Sequence, residues 1–151
     1  MKIKELFRNK PVISLEIFPP KPEAPIDTIL DTIDALSDLK PAFISVTYGA
    51  GGSSRANTVK IADIIKNNYN IEALAHLTCI GSTKDEIDCI LEQLRKSNIE
   101  NIMALRGDYP DGLSPASSEH SQYKYAKDLI EHVKEKSSFC IGAACYPEGH
   151  I

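Results

Sequence analysis

The sequence predicts an α/β fold in which β-strands and α-helices alternate and the strands form a parallel sheet. Two observations lead to this fold class. Short apolar runs rich in β-branched residues alternate with segments whose apolar residues recur at helical spacing. The apolar runs also begin at nearly regular intervals of about 30 residues, which is the length of one strand–helix unit.

Five apolar runs are predicted to be strands. They are Val12–Phe18, Ala42–Tyr48, Ile71–Thr78, Asn101–Leu105 and Phe139–Tyr146. Their first residues are separated by 30, 29, 30 and 38 positions. Connections of this length allow a helical crossover between neighbouring strands, so the sheet is predicted to be parallel with right-handed crossovers.

Four stripes of apolar residues between these runs predict helices. The stripes are Ile26, Ile29, Leu30, Ile33 and Leu36; Val59, Ala62 and Ile65; Ile87, Ile90, Leu91 and Leu94; and Tyr125, Leu129 and Val133. Thr83 followed by Glu86 is a capping-box pattern that marks the start of the third helix. A further short helix is predicted within Lys2–Arg8, before the first strand.

The number of units leaves two architectures open. A complete eight-unit TIM barrel needs about 250 residues, or roughly 31 per unit, whereas this chain has 151 residues, about four units and a fifth strand. It is either a small open α/β sheet or the first half of a (β/α)8 barrel. Half a barrel has two open edge strands, the first and the fifth, and we expect either a homo-oligomer that covers them or a longer parent chain.

Composition excludes several classes of protein. With 17 basic and 21 acidic side chains the formal net charge is −4, which argues against nucleic acid or an anionic membrane as a partner. The 42% apolar content is enough for a sizeable core. The first residues lack the apolar segment of a secretion signal, so we expect a cytoplasmic protein. The four cysteines form no close pair of the metal or redox type, and we expect them to be small buried hydrophobes.

Polar residues recur near the carboxyl ends of four successive predicted strands. These residues are Glu16, Thr47, His76 and Asp108. In parallel α/β folds ligands bind at this end of the sheet, whether the sheet is open or closed. One such residue alone would be weak evidence, but four at the same end predict a site.

Two other motifs have more than one interpretation. Gly49–Ser54 follows a strand and precedes a helix, but it lacks the third glycine of a dinucleotide-binding fingerprint, which favours a glycine-rich turn beside a flat cofactor. Arg106, directly after the fourth strand, is either a ligand contact or a structural ion-pair partner.

Five segments together resemble a known enzyme family. They are Ser14–Lys21, Ser45–Ser53, His76–Cys79, Leu105–Asp108 and Ala143–His150, and they extend over nearly the whole chain. In this order and spacing they resemble methylenetetrahydrofolate reductase of the bacterial, flavin-dependent type. The resemblance implies a TIM barrel, of which residues 1–151 would be a single domain and the amino-terminal half, truncated relative to the family.

The resemblance also implies a reaction and a set of site residues. It implies FAD as cofactor, and reduction of 5,10-methylenetetrahydrofolate to 5-methyltetrahydrofolate by NAD(P)H. Glu16 matches the general acid that protonates N10 of the folate, and Asp108 matches a carboxylate near both flavin and folate. The positions that match flavin-lining residues are Thr47, Tyr48, Ala50, His76, Arg106, Gly107, Asp108, Tyr125, Ala126, Tyr146 and His150.

Three further expectations concern the surroundings of Glu16, the position of Tyr125 and the function. Leu15, Ile17 and Phe18, with a covering flavin, could enclose Glu16 and favour its protonated form. Tyr125 is either a flavin contact or a core-facing helix residue. The alternative function is a non-catalytic half-barrel that binds a nucleotide or a partner.

Overall fold

The computed structural model describes residues 1–8, 11–20, 25–48, 55–108 and 122–146. The strands of its single parallel sheet are β1 (Ser14–Ile17), β2 (Phe43–Val46), β3 (Glu72–Thr78), β4 (Asn101–Leu105) and β5 (Cys140–Ala143). The helices are α1 (Asp27–Ser37), α2 (Arg55–Asn67), α3 (Lys84–Lys96) and α4 (Ala126–Lys136). A 3-10 helix at Ile3–Glu5 precedes β1, so the predicted short amino-terminal helix is confirmed in this tighter form.

The order of the strands identifies the architecture. The strands lie in the sheet in the order β1-β2-β3-β4-β5, and every neighbouring pair is parallel. A doubly wound sheet reverses its strand order at a switch point and carries helices on both faces, and this sheet has no such reversal. The fold is half of a (β/α)8 barrel, which is the architecture that the resemblance implied and one of the two that the repeat left open.

The main core lies between the sheet and the helices. Strand side chains alternate between faces, and the helix-side positions are apolar along β2, β3 and β4. The buried strand residues include Ile44, Val46, Ala75, Leu77 and Ile102. All four residues of the predicted α3 stripe are buried, and Thr83 and Glu86 form the predicted capping box.

The opposite face of the sheet, which we call the lumen face, is covered at its amino-terminal end by the first residues of the chain. Ile3 packs with Phe43 and Leu74 in a second apolar cluster. Asn101, fully buried at the start of β4, ties this segment down. Its side chain accepts a hydrogen bond from the Ile3 amide at 2.8 Å and donates to the Met1 carbonyl at 3.0 Å.

Replacing Asn101 with alanine is expected to lower the free energy of unfolding by about 3 kcal/mol, because buried backbone groups lose their partners and a small cavity forms. Chemical denaturation measures this change. Asn67→Ala, at an exposed asparagine whose side chain forms three hydrogen bonds, is the matched control and should cost less than about 1 kcal/mol. Equal losses in the two variants would contradict the structural role of Asn101.

The connections from helix to strand share one backbone feature. Lys40, Asn70 and Asn98 lie just before β2, β3 and β4 and have positive φ angles of 50°, 54° and 58°. A left-handed residue after a helix reverses the chain direction and ends the helix. The same turn therefore recurs in three successive units, and two of the three positions hold asparagine, a residue that tolerates this conformation.

Several sequence predictions are corrected by the structure. Four of the five strands are shorter than predicted, and only Asn101–Leu105 is unchanged. Leu129 and Val133 are buried as predicted, but Tyr125 precedes α4 in an extended conformation and is 49% exposed, so the core-facing interpretation is wrong. Tyr123 occupies the core instead, stacked on His132.

The prediction of buried cysteines is confirmed for Cys79 and is wrong for Cys89 and Cys145. Cys79 is buried and Cys140 is half-buried, whereas Cys89 and Cys145 are exposed. Cys89 lies on the solvent side of α3 because the apolar stripe of that helix occupies the other side. Within the described ranges, no helix combines the length and the apolar character needed to cross a membrane.

Candidate active site at the carboxyl ends of the strands

The register of the sheet places two of the predicted polar residues, Glu16 and His76, on the lumen face together with Ser45. Glu16 on β1 lies beside Ser45 on β2, and His76 on β3 lies beside Met103 on β4. Because side chains alternate, Glu16, Ser45 and His76 project to the same face. This face lies opposite the helices, and in a closed barrel it becomes the interior.

Glu16, Ser45 and His76 are brought together at this face. The Ser45 hydroxyl donates a hydrogen bond to Oε2 of Glu16 at 3.0 Å. Nε2 of His76 lies 3.4 Å from the same oxygen. That ring nitrogen is buried, yet it forms no hydrogen bond with the part of the chain that the structure describes. It is therefore available to a ligand.

The expected enclosure of Glu16 by its apolar neighbours is wrong. Leu15 and Ile17 alternate with Glu16 along the strand and pack into the core on the helix side. Phe18 is 69% exposed. The Glu16 side chain itself is 49% exposed, so its polar neighbours, rather than an apolar enclosure, determine its surroundings in this chain.

His76 is uncharged at neutral pH. Burial lowers the pKa of the imidazole from its ordinary value, and this effect outweighs the opposing attraction of the Glu16 carboxylate. The contact between the two side chains is therefore a neutral ring nitrogen beside a carboxyl group, and His76 can either donate or accept a hydrogen bond according to its tautomer.

The lowered pKa of His76 predicts a specific pH dependence of stability. In the unfolded chain the imidazole takes up a proton at a higher pH than in the folded protein, so stability is lost as pH falls below about 6.5. Denaturation between about pH 7.5 and pH 5 should show a steeper loss for the wild type than for His76→Gln. NMR titration of the ring protons provides a direct check, and a midpoint above the ordinary histidine value would contradict the prediction.

Thr47 and Tyr48 follow β2 at the same edge of the sheet. The Thr47 amide donates to the Ile17 carbonyl at 3.0 Å, and the Thr47 carbonyl accepts from the Thr58 hydroxyl at 3.1 Å. Tyr48 packs against the main core. The backbone of Thr47 is thus attached to β1 on one side and to α2 on the other.

The segment after β4 is held against β3. The amides of Cys79 and Ile80 donate to the Arg106 carbonyl at 3.2 and 2.9 Å. Gly107 has φ +78°, and a Cβ atom added there would lie 2.8 Å from Cβ of Thr78. Only glycine fits this position. The next residue, Asp108, is exposed.

The other predicted site residues are not all in contact with this group. Ala126 is the first residue of α4, and Tyr125 and Tyr146 are 49% and 51% exposed. Ala50 and His150 lie outside the described residues. Asp108 follows β4, three strands from Glu16, which is roughly 14 Å at about 4.8 Å per strand. A single ligand that touches both carboxylates must extend across the sheet.

One glycine on the lumen face keeps space open. A Cβ atom at Gly142 of β5 would lie 3.3 Å from both Sδ and Cε of Met103. A side chain there would occupy the floor of the site between the carboxyl ends of β4 and β5. Within the residues that the structure describes, no group of histidine, cysteine and acidic side chains has the arrangement of a metal site.

The chain is similar to known proteins both in sequence and in structure. A family model described as Methylenetetrahydrofolate reductase matches residues 2–151. The 5,10-methylenetetrahydrofolate reductase of Escherichia coli is 42% identical over 138 residues, covering 91% of this chain and 45% of that protein. Methylenetetrahydrofolate reductase 2 of Schizosaccharomyces pombe is 37% identical, covering 100% of this chain and 25% of that protein.

A solved structure shares the fold without close sequence similarity. The 4-hydroxy-tetrahydrodipicolinate synthase of Methylacidiphilum fumariolicum superposes with a TM-score of 0.61 and 13% identity, covering 92% of this chain and 45% of the other. In both kinds of comparison the chain spans at most about half of the matched protein.

Proposed function

The chain belongs to the methylenetetrahydrofolate reductase family, and from this premise we propose that residues 1–151 are the amino-terminal half of a flavin-dependent enzyme that reduces 5,10-methylenetetrahydrofolate to 5-methyltetrahydrofolate with NAD(P)H. The observation that carries the proposal is the Glu16 carboxyl group at the carboxyl end of β1, in contact with Ser45 and His76. A carboxyl group in this position is suited to proton transfer to a ligand in the lumen.

The residues at this edge of the sheet fit a flat aromatic cofactor such as FAD. The buried Nε2 atom of His76 is free for a ligand among the described residues, and Gly142 leaves room beside Met103. We assign to the flavin site Thr47, Tyr48, Ala50, His76, Arg106, Gly107, Asp108, Tyr125, Ala126, Tyr146 and His150. When bound, FAD would carry the hydride between the nicotinamide and the folate.

The two carboxylates have different roles in the proposed reaction. Glu16 would hold a proton and release it to N10 of the folate, which opens the five-membered ring and leaves a cation at N5. Asp108 is exposed and lies on the far side of the site. An ionised carboxylate there would stabilise the cation electrostatically. Two acidic groups in different surroundings are the expected arrangement when one donates a proton and the other stays charged.

The remaining assignments concern partners and assembly. We propose a cytoplasmic protein with no nucleic-acid or membrane partner, consistent with its net charge of −4. Within the described residues β1 and β5 each pair on one side only. Open edges of a parallel sheet attract further strands, which supports a homo-oligomer or closure by more of the same chain.

The proposed function is tested on the full-length protein that contains this chain. Purified protein should have the absorption spectrum of oxidised flavin. Under anaerobic conditions NAD(P)H should bleach this spectrum, and 5,10-methylenetetrahydrofolate should restore it with formation of 5-methyltetrahydrofolate. Bound nucleotide without either half-reaction would favour the alternative, a non-catalytic binding half-barrel. Failure to bind flavin or folate would overturn the proposal.

A further inference from the structure

Ser45 is a buried hydroxyl in the most buried strand of the sheet. All four residues of β2 are buried, and its other members are Phe43, Ile44 and Val46. Ser45 is only 5% exposed. A hydroxyl in such surroundings is costly unless it forms a good hydrogen bond. The hydrogen-bond partner of the Ser45 hydroxyl therefore indicates why a polar residue is tolerated in this strand.

The stronger partner of Ser45 is the carboxyl group of Glu16. The Ser45 oxygen lies 3.0 Å from Oε2 of Glu16 and 3.4 Å from the Leu15 carbonyl oxygen. The shorter distance is to the group that can carry a charge, and hydrogen bonds to charged groups are the stronger class. Strand pairing also places the Ser45 hydroxyl beside Glu16, because the two residues are register partners across β1 and β2.

Both polar contacts described for the Glu16 side chain fall on one of its two oxygens. Ser45 donates to Oε2, and Nε2 of His76 lies 3.4 Å from the same atom. Ser45 and His76 come from two different strands, and the helix-side residues of both strands belong to the main core. The carboxyl group is thereby fixed through one oxygen while about half of the side chain stays exposed.

We propose that Ser45 is a positioning residue that anchors Oε2 of Glu16 so that the proton leaves from Oε1. This inference rests on the proposed function, in which Glu16 is the proton donor. The O–H bond at Oε1 breaks, an N–H bond forms at the folate N10, and the electron pair remains on the carboxylate. The Ser45 hydroxyl stabilises the negative charge that then appears on Oε2, and solvent returns the proton to the exposed side of Glu16.

Ser45→Ala tests the inference in the full-length, flavin-loaded protein. Folate reduction should become about tenfold slower, the factor that corresponds to the loss of one hydrogen bond to a charged group. Flavin reduction by NAD(P)H and the dissociation constant for folate should stay within about twofold, because Ser45 does not touch either ligand in the proposal. Ser45→Thr keeps the hydroxyl and should restore most of the rate.

The matched control is Ser137→Ala. Ser137 lies at the opposite end of the sheet, before β5, and its hydroxyl donates one hydrogen bond to the Val133 carbonyl at 2.8 Å. Removal of this hydroxyl in Ser137→Ala should leave the rates of both half-reactions unchanged. A readout independent of activity is the infrared carboxylate band of Glu16, identified by difference against Glu16→Gln, which should shift in Ser45→Ala and return in Ser45→Thr.

The results separate this inference from the proposed function. If Glu16→Gln stops folate reduction while Ser45→Ala leaves both the rate and the infrared band unchanged, Glu16 remains the donor and the role of Ser45 is wrong. Equal slowing of both half-reactions in Ser45→Ala, without rescue by Ser45→Thr, would mean a structural role only and would also overturn the inference. Undiminished folate reduction in Glu16→Gln would overturn the proposed role of Glu16 itself.

Discussion

Glu16→Gln is expected to slow folate reduction by about 10²–10⁴-fold, the range typical for loss of a general acid. Glutamine is close in size to glutamate and can still accept a hydrogen bond from Ser45, but it has no carboxylic proton to give to N10. Flavin reduction by NAD(P)H needs no such proton donor and should be unaffected. Stopped-flow measurement of the two half-reactions under anaerobic conditions separates the two effects.

Glu131→Gln is the control for the same change of charge elsewhere. Glu131 lies on α4 and is exposed beside Lys127, 3.6 Å from its ammonium group. Both half-reactions should be unchanged in this variant. If Glu16→Gln slowed flavin reduction as much as folate reduction, Glu16 would be a structural or flavin-binding residue rather than the proton donor.

The architecture could be predicted from the sequence because the same strand–helix pattern is repeated along the chain. Strand starts near residues 12, 42, 71 and 101 repeat the same unit, and a sheet built from equal crossovers is parallel. The ends of the strands were overestimated, since apolar residues such as Ile13 and Phe18 continue the pattern although both are about 70% exposed at an edge strand. Pattern alone does not distinguish a strand residue from an exposed apolar residue next to it.

The face of each site residue could also be predicted, but the contacts could not. Alternation assigns Glu16, Thr47 and His76 to one face. The contact of Glu16 with Ser45 depends on the register between β1 and β2, which is established by the core and by the connection between the strands. Ser45 was missed as a site residue for this reason. The sequence nevertheless contains the relevant pattern. Ser45 lies two residues before Thr47, and therefore on the same face of the strand, and it lies one strand–helix unit after Glu16.

Gly107→Ala is expected to lower the free energy of unfolding by about 3 kcal/mol. A left-handed conformation costs a residue with a Cβ about 1–2 kcal/mol, and overpacking costs about 1–3 kcal/mol more. The new Cβ would lie 2.8 Å from Cβ of Thr78 and 3.3 Å from Cγ2 of Ile80. The atom it meets is close to the backbone of β3, so the strain must be relieved by moving the Arg106–Asp108 segment.

Gly81→Ala separates the two causes of this loss. Gly81 has nearly the same conformation, with φ +72°, but a Cβ atom added there would meet nothing within 4 Å. Its substitution should cost only the conformational part, about 1 kcal/mol, in the same denaturation experiment. Because the displaced segment carries Asp108, Gly107→Ala should also weaken flavin binding in the full-length protein, whereas Gly81→Ala should not. Equal destabilisation by the two substitutions would mean that the close approach to Thr78 contributes nothing, and that Gly107 is needed only for its backbone angle.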